Sequence, residues 1–411
     1  MLAKLSADIK QYLVVTGNYW AFTLTDGALR MLVVLHFHGL GYSPLQIAML
    51  FLFYEIFGVI TNLCGGWLGA RIGLNRTMNA GLLLQILALG MLLVPAAMLT
   101  VPWVMAAQAL SGVAKDLNKM SAKSAIKMLV PADAQRSLYR WVALLTGSKN
   151  ALKGVGFFLG GALLTTIGFG GAVLAMAAGL LLVFLCSLML LKKDLGRASL
   201  KPKFRDIFSK SPAINCLSAA RLFLFSARDV WFVVALPVYL SQTLNWDHWQ
   251  TGGFLAAWVI AYGIVQALAP RLTGINMGAP DGRSALRWAS LLAAIPALIA
   301  LGLGMTAGYD VSLTPASVLI VGLMVFGIIF AINSALHSYL IINYARDDGV
   351  SLDVGFYYMA NAMGRLLGTV LSGWVYQTAG LAACLWISSA MIVLAALLSI
   401  RLPTRAQAAD T

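Results

Sequence analysis

Lys115, Lys119, Lys123 and Lys127 recur at every fourth position of one largely apolar stretch, and Asp116 lies among them. On an α-helix that spacing lines the lysines up as one slowly rotating stripe. At 1.5 Å per residue the stripe runs about 18 Å. Further charges interrupt other apolar stretches: Asp26 and Arg30 one helical turn apart, Glu55, Lys149 with Lys153, Arg221, Arg228 with Asp229, and Arg365. The cations outnumber the acids, so pairing alone does not absorb them. Arginine offers a bidentate fork and lysine a mobile point charge, a combination suited to phosphate-like oxyanions. Arg30, Lys115, Lys119, Lys149 and Lys153 in the first half, with Arg228 and Arg365 in the second, are therefore the expected anion-binding set. Asp26, Glu55, Asp116 and Asp229 are expected to be ion-pair partners or proton-coupling groups. The simplest pairings join Asp26 to Arg30, Asp116 or Glu55 to Lys115 or Lys119, and Asp229 to Arg228, with Glu55 the lone charge in its span. Lys127 and Lys123 are expected to snorkel toward an interface.

These charges are carried by a chain of 411 residues, 60% hydrophobic and only 11% charged, with a mean hydropathy of +0.83. A soluble domain has roughly 25% charged residues, so the apolar surplus must face lipid. A charge at the bilayer centre costs at least ~2.5–3.5 kcal/mol, which makes each interruption a candidate for function. Apolar runs of spanning length fall near residues 12–37, 45–69, 77–99, 103–128, 137–164, 170–191, 213–241, 249–270, 284–308, 314–342, 352–376 and 380–401. The expectation is an all-α membrane protein of about twelve transmembrane helices in two six-helix bundles. Residues 1–191 and 213–411 form the bundles, joined by a basic cytoplasmic linker at 192–212 that suits anionic headgroups. Arg71, Arg76, Arg136, Arg140, Arg271, Arg283, Arg287 and Arg346 fall at alternate turns, whereas His38, Asp247, His248 and Asp310 mark the others. That asymmetry places both termini in the cytoplasm. No small-residue cleavage site follows the first apolar run, so the first helix is expected to remain in the membrane.

The two halves carry a faint repeat. A shift of 212 positions lays Lys153, Gly156, Gly161, Thr166 and Gly168 on Arg365, Gly368, Gly373, Thr378 and Gly380. The turn Gly66-Trp67-Leu68-Gly69-Ala70-Arg71-Ile72-Gly73-Leu74-Asn75-Arg76 resembles the loop motif of the major facilitator superfamily, whose halves are related by such a repeat. Ala70 replaces the family's acid and Leu74 its later basic residue. Two further stretches, Asn18 to Arg30 and Lys115 to Ser124, resemble the ArsJ-type organoarsenical efflux permeases of bacteria. That resemblance implies an inner-membrane exporter of 1-arseno-3-phosphoglycerate. It also implies a functional partnership with the glyceraldehyde-3-phosphate dehydrogenase that makes the ester from arsenate, and hence arsenate resistance.

Other classes fit less well. The net charge of +14 is spread over loops and apolar helices, not gathered into a nucleic-acid-binding domain. Cys64, Cys186, Cys216 and Cys384 are dispersed, so neither a metal site, a disulfide framework nor a trithiol site for trivalent arsenic is indicated. No nucleotide-binding motif is present, and no cofactor is expected. An ion gradient or exchange is left as the energy source. The nearest alternative is a transporter or exchanger of other organophosphates or organic anions. A membrane-embedded enzyme acting on a phosphorylated substrate would need an acid/base pair or metal motif near a loop, and the basic linker offers neither. A receptor or scaffold leaves the buried cations unexplained.

Overall fold

The computed structural model describes residues 7–42, 50–129, 135–191, 195–196, 198, 203, 211–246, 248–273, 279–308 and 314–404. Most of the basic linker, Asp247, Asp310, and the side chains of His38 and His248 lie outside them. Among the described residues the regular structure is helical. The helices are α1 (Ala7–Gly39), α2 (Leu52–Ile72), α3 (Leu74–Met91), α4 (Val101–Leu129), α5 (Gln135–Leu190), α6 (Pro212–Phe232), α7 (Ala235–Gln242), α8 (His248–Leu272), α9 (Gly282–Gly308), α10 (Pro315–Tyr344) and α11 (Val350–Ser399).

Two of these are each a pair of spans. α5 has 56 residues and α11 has 50, far more than the ~20 needed to cross a bilayer. Each breaks at one glycine: Gly168 has φ 71° and ψ 177°, and Gly380 has φ 75° and ψ −175°. Only glycine adopts that region without strain. These two glycines are repeat-matched in the sequence. With α5 and α11 each counted twice, and α6 with α7 counted as one, twelve spans result. Among the described residues six helices, α5, α6 with α7, α8, α9, α10 and α11, are long and apolar enough to cross a membrane on length and composition alone. The less apolar α1 and α4 hold Asp26, Arg30 and the lysine stripe.

Prolines displace two of the expected boundaries. The third span was expected to reach residue 99, but α3 stops at Met91. Pro95 has no N–H and disfavours helix at the residue before it. A short 3-10 turn, Ala96–Met98, follows. Residues 213–241, expected as one helix, split between Phe232 and Ala235. Pro237 removes the bond to the Val233 carbonyl and crowds it. The Ser372 hydroxyl accepts from the freed Val234 and Ala235 amides at 3.2 and 3.1 Å.

The chain forms two compact units, Met1–Ser209 with Ala345–Met359, and Lys210–Tyr344 with Ala360–Thr411. In the first, α1 packs chiefly on α5, and α4 on α2 and α3. Its core gathers Phe22, Leu29, Phe37, Leu82, Leu89 and Val173. In the second, α10 packs on α9 and α8. Its core is aromatic: Trp231 meets Phe326 edge-on at 5.0 Å, and Trp258 stacks on Tyr262 at 5.8 Å. Phe158, Leu182, Met189, Val321 and Trp374 are exposed, as side chains bathed in lipid would be.

Candidate functional site

Within the first unit, α1, α2, α4 and α5 bring the expected charges into one network. Arg30 reaches Glu55 at 3.0 Å. This corrects two sequence-based pairings: the near partner of Glu55 is Arg30 and not Lys115 or Lys119, and that of Arg30 is Glu55 and not Asp26. Helical spacing makes Asp26 and Arg30 neighbours, but a long guanidinium arm reaches across to α2 as readily as along its own helix. Asp26 instead accepts from the Tyr54 hydroxyl at 2.7 Å and lies 4.0 Å from Lys153 of α5. On α4, Asp116 holds Lys119 at 2.5 Å and Lys115 at 3.9 Å, as the sequence suggested. Lys149 lies half-buried one turn before Lys153.

The lower stripe is not snorkelling. Lys123 is only 4% exposed and donates to Tyr358 at 2.6 Å and to Thr146 at 3.1 Å. Lys127 donates to the Ala345 carbonyl and pairs with Asp347 at 3.3 Å. Both therefore tie residues 345–359 to the rest of the first unit. The Ser351 hydroxyl does the same by donating to the Gly66 carbonyl at 2.8 Å. Where the loop motif has Ala70 in place of an acid, that side chain is buried with Leu352 and Ala198.

Within the second unit one carboxylate holds two arginines. Arg228 donates to Asp229 through Nε at 2.6 Å, and Arg365 through Nε at 3.3 Å. The Arg228 pairing was legible as a sequence neighbour; the Arg365 pairing was not. Arg228 also lies over the rings of Phe225, Phe232 and Phe330. Arg221 stands apart from this pair, donating to Asn361 at 2.8 Å and to the Ser334 carbonyl at 3.3 Å.

The repeat has a structural counterpart in each unit taken by itself. Lys153 faces Asp26 of the first helix; Arg365 faces Asp229 of α6. Gly156 lets α5 approach α1 so closely that a methyl there would stand 2.6 Å from the Leu24 carbonyl oxygen. At Gly368 a methyl would stand 2.6 Å from the Ser226 carbonyl oxygen. Thr166 and Thr378 each donate to the carbonyl four residues back, Ala162 and Trp374. The matched glycines thus bring each cation's helix against the helix that carries its carboxylate.

The polar neighbours sort into two kinds. Asn18 bonds Ser187 at 2.9 Å and so joins helices. The Tyr19 hydroxyl, the Asp116 Oδ2 and both polar atoms of the Asn118 amide are buried with no hydrogen-bond partner. Such atoms mark places that water or a ligand completes. A cleft of about 710 Å³ in the second unit is lined by Tyr239, Gln242, Thr243, Tyr376 and Gln377 but by no ionised residue. Sequence reasoning missed Tyr54, whose only signal was its place next to Glu55.

Long apolar helices, glycine-broken double spans and charge networks inside each unit are the build of a multi-pass membrane transporter. Residues 12–341 match the Major Facilitator Superfamily, and the chain belongs to it. Among solved structures it is similar to the human organic anion transporter MFSD10, with TM-score 0.76 and 18% identity over 96% of this chain and 100% of that one. It is similar also to the E. coli fucose:proton symporter FucP, with TM-score 0.72 and 12% identity over 96% and 99%. A bacterial homologue of the iron transporter ferroportin gives TM-score 0.72 and 16% identity over 97% and 99%. At these identities the likeness is one of fold. No curated protein matches the sequence.

Proposed function

We propose that this transporter exports an organic oxyanion across the bacterial inner membrane, most specifically 1-arseno-3-phosphoglycerate, and so confers arsenate resistance. The observation that carries the anion reading is the layering of charge. Asp116 and Asp229 keep 2% and 1% of their side chains exposed, whereas Lys115 keeps 17% and Arg365 36%. These two carboxylates lie behind cations that still present donors. A cation so held is oriented without losing its fork or its charge, which is what recognition of a second anion requires.

In this reading Arg30, Lys115, Lys119, Lys149 and Lys153 are the anion-binding cations of the first unit, and Arg228 and Arg365 those of the second. Asp26, Glu55, Asp116 and Asp229 hold those cations in place. The arsenical identity rests on the resemblance of residues 18–30 and 115–124, together with the dispersal of the four cysteines. Pentavalent arsenic is an oxyanion and calls for Lys and Arg; trivalent arsenic calls for grouped thiols. The cargo is supplied by a glyceraldehyde-3-phosphate dehydrogenase working with arsenate. The chain lies with both termini in the cytoplasm.

The test is arsenate resistance and efflux of radiolabelled arsenic in a sensitive host, with and without the dehydrogenase. The expected result is resistance only with both proteins. Resistance without the dehydrogenase would remove the ester as cargo. Absence of resistance even with both proteins would favour the second reading, a carrier of other organophosphates, which the same observation supports because a cation cluster does not distinguish one tetrahedral oxyanion from another.

A further inference from the structure

Tyr54 occupies the node of the first unit's charge network, and nothing in the oxyanion reading has yet used it. Its side chain is buried, with the residue 2% exposed. Its hydroxyl donates to Asp26 at 2.7 Å. Its ring carries two cations: the Arg30 guanidinium carbon lies 4.9 Å from the centroid, and the Lys115 ammonium 3.7 Å. Both distances are within cation–π range. Two like charges do not gather on one ring unaided. Here each has a carboxylate on its far side, Glu55 for Arg30 and Asp116 for Lys115.

The packing of α2 on α4 creates this arrangement. A methyl at Gly112 would lie 2.7 Å from the Tyr54 carbonyl oxygen and 3.0 Å from its Cα. Gly112 therefore lets α4 come down on the Tyr54 backbone. Lys115 follows one turn later and lands on the ring. On the α2 side, Gly58 is one turn beyond Tyr54, and a methyl there would stand 3.0 Å from the Asp116 Oδ2. The missing side chain leaves the space that this carboxylate oxygen, the one facing Lys115, occupies. Two glycines thus place one tyrosine, and the tyrosine places a lysine and an arginine from two different helices.

We infer that Tyr54 is the positioning residue of the anion site, its aromatic face holding Arg30 and Lys115 as a single clamp for an oxyanion. The inference rests on the anion-export reading and deepens it. An anion that touches one of these cations is close to the other, because both sit on the same ring. The ring supplies attraction without neutralising either charge, as a carboxylate in the same place would. The hydroxyl has the separate task of turning Asp26 away from Arg30 and toward Lys153.

The two tasks separate experimentally. Everted vesicles carrying equal amounts of transporter are given radiolabelled arsenate, glyceraldehyde-3-phosphate, oxidised nicotinamide cofactor as hydride acceptor and the dehydrogenase, and initial uptake is measured against the rate of ester supply. Tyr54→Phe keeps the ring and is expected to leave KM within about threefold; Tyr54→Leu removes it and is expected to raise KM about tenfold with kcat little changed. A purely structural tyrosine predicts a lower amount of protein and lower kcat at unchanged KM. Should the leucine variant fail to reach the membrane, phenylalanine analogues bearing one, two and three fluorines at position 54 replace it. They keep the shape and weaken the ring's negative face stepwise, so KM is expected to climb with each fluorine. A flat KM across that series, or in Tyr54→Leu, overturns the inference. Arg30→Ala and Lys115→Ala are run alongside. If they raise KM and the ring variants do not, only the role of Tyr54 is lost. If neither raises KM, the oxyanion site is wrong and the clamp falls with it.

Discussion

Asp229 shows how little of the charge network a linear sequence reveals. Its neighbour Arg228 is evident, but Arg365 arrives from a helix more than a hundred residues later. The same holds for Glu55, expected to pair with Lys115 or Lys119 and instead reached by Arg30. Residue types and burial could be read from hydropathy; partners on other helices could not, because side-chain reach is set by helix packing. Asp229 is 1% exposed and holds two cations, so its removal leaves like charges facing each other. Asp229→Asn is expected to cost about 2–4 kcal/mol, somewhat below a fully buried pair because the arginines keep some exposure. Thermal unfolding in detergent checks this, and adding Arg228→Gln is expected to restore part of the loss. For transport, Lys153→Ala and Arg365→Ala are each expected to reduce arsenical efflux about tenfold or more, the loss of one charge-assisted contact. Intact resistance in either variant would end the idea of one cation site per half.

At the scale of elements, the spans were legible and their interruptions only in part. Twenty apolar residues announce a helix whatever it packs against. The stops at Met91 and Phe232 depended on Pro95 and Pro237, which an apolar run conceals. The repeat was visible as spaced glycines, but the sequence did not say which served packing and which served bending. The structure separates them. Gly156 and Gly368 have helical backbones and no room; Gly168 and Gly380 have room and a left-handed φ; Gly161 and Gly373 have neither constraint. Gly156→Ala and Gly368→Ala are expected to destabilise by about 1–3 kcal/mol through overpacking against α1 and α6. Gly168→Ala and Gly380→Ala should cost a similar ~1–3 kcal/mol through backbone strain alone. Gly161→Ala and Gly373→Ala are expected to be neutral or to stabilise by up to about 1 kcal/mol, since alanine is the better helix former. Six melting curves decide the matter. A loss at Gly373 as large as that at Gly368 would show that packing at the matched positions has been misassigned.

For the whole molecule, the family is shown by residues 12–341, while the proposed orientation rests on a few loop arginines. Arg71 closes α2 and Arg76 opens α3; Arg136 and Arg140 lie in the first turns of α5; Arg271 ends α8, Arg283 and Arg287 begin α9, and Arg346 lies between α10 and α11. Those are alternate turns of a twelve-span chain, so they share one side of the membrane. A cluster of Lys and Arg in short loops resists translocation, which is the ground for proposing that this side is cytoplasmic. An even number of spans then returns the second end to the side of the first. Fusions after residue 404 and within the turn between α2 and α3 are accordingly expected to fluoresce with a green fluorescent reporter and to lack alkaline phosphatase activity. Fusions between α3 and α4, or just after α7, should do the reverse. Moving the charge is the stronger test. Replacing Arg71 and Arg76 by neutral residues while adding two lysines between α3 and α4 lowers the bias on one side and raises it on the other. That change is expected to yield mixed orientation of the first spans, seen as phosphatase activity at the α2–α3 turn. Unchanged topology would mean that the remaining arginines, from Arg136 onward, hold the orientation by themselves.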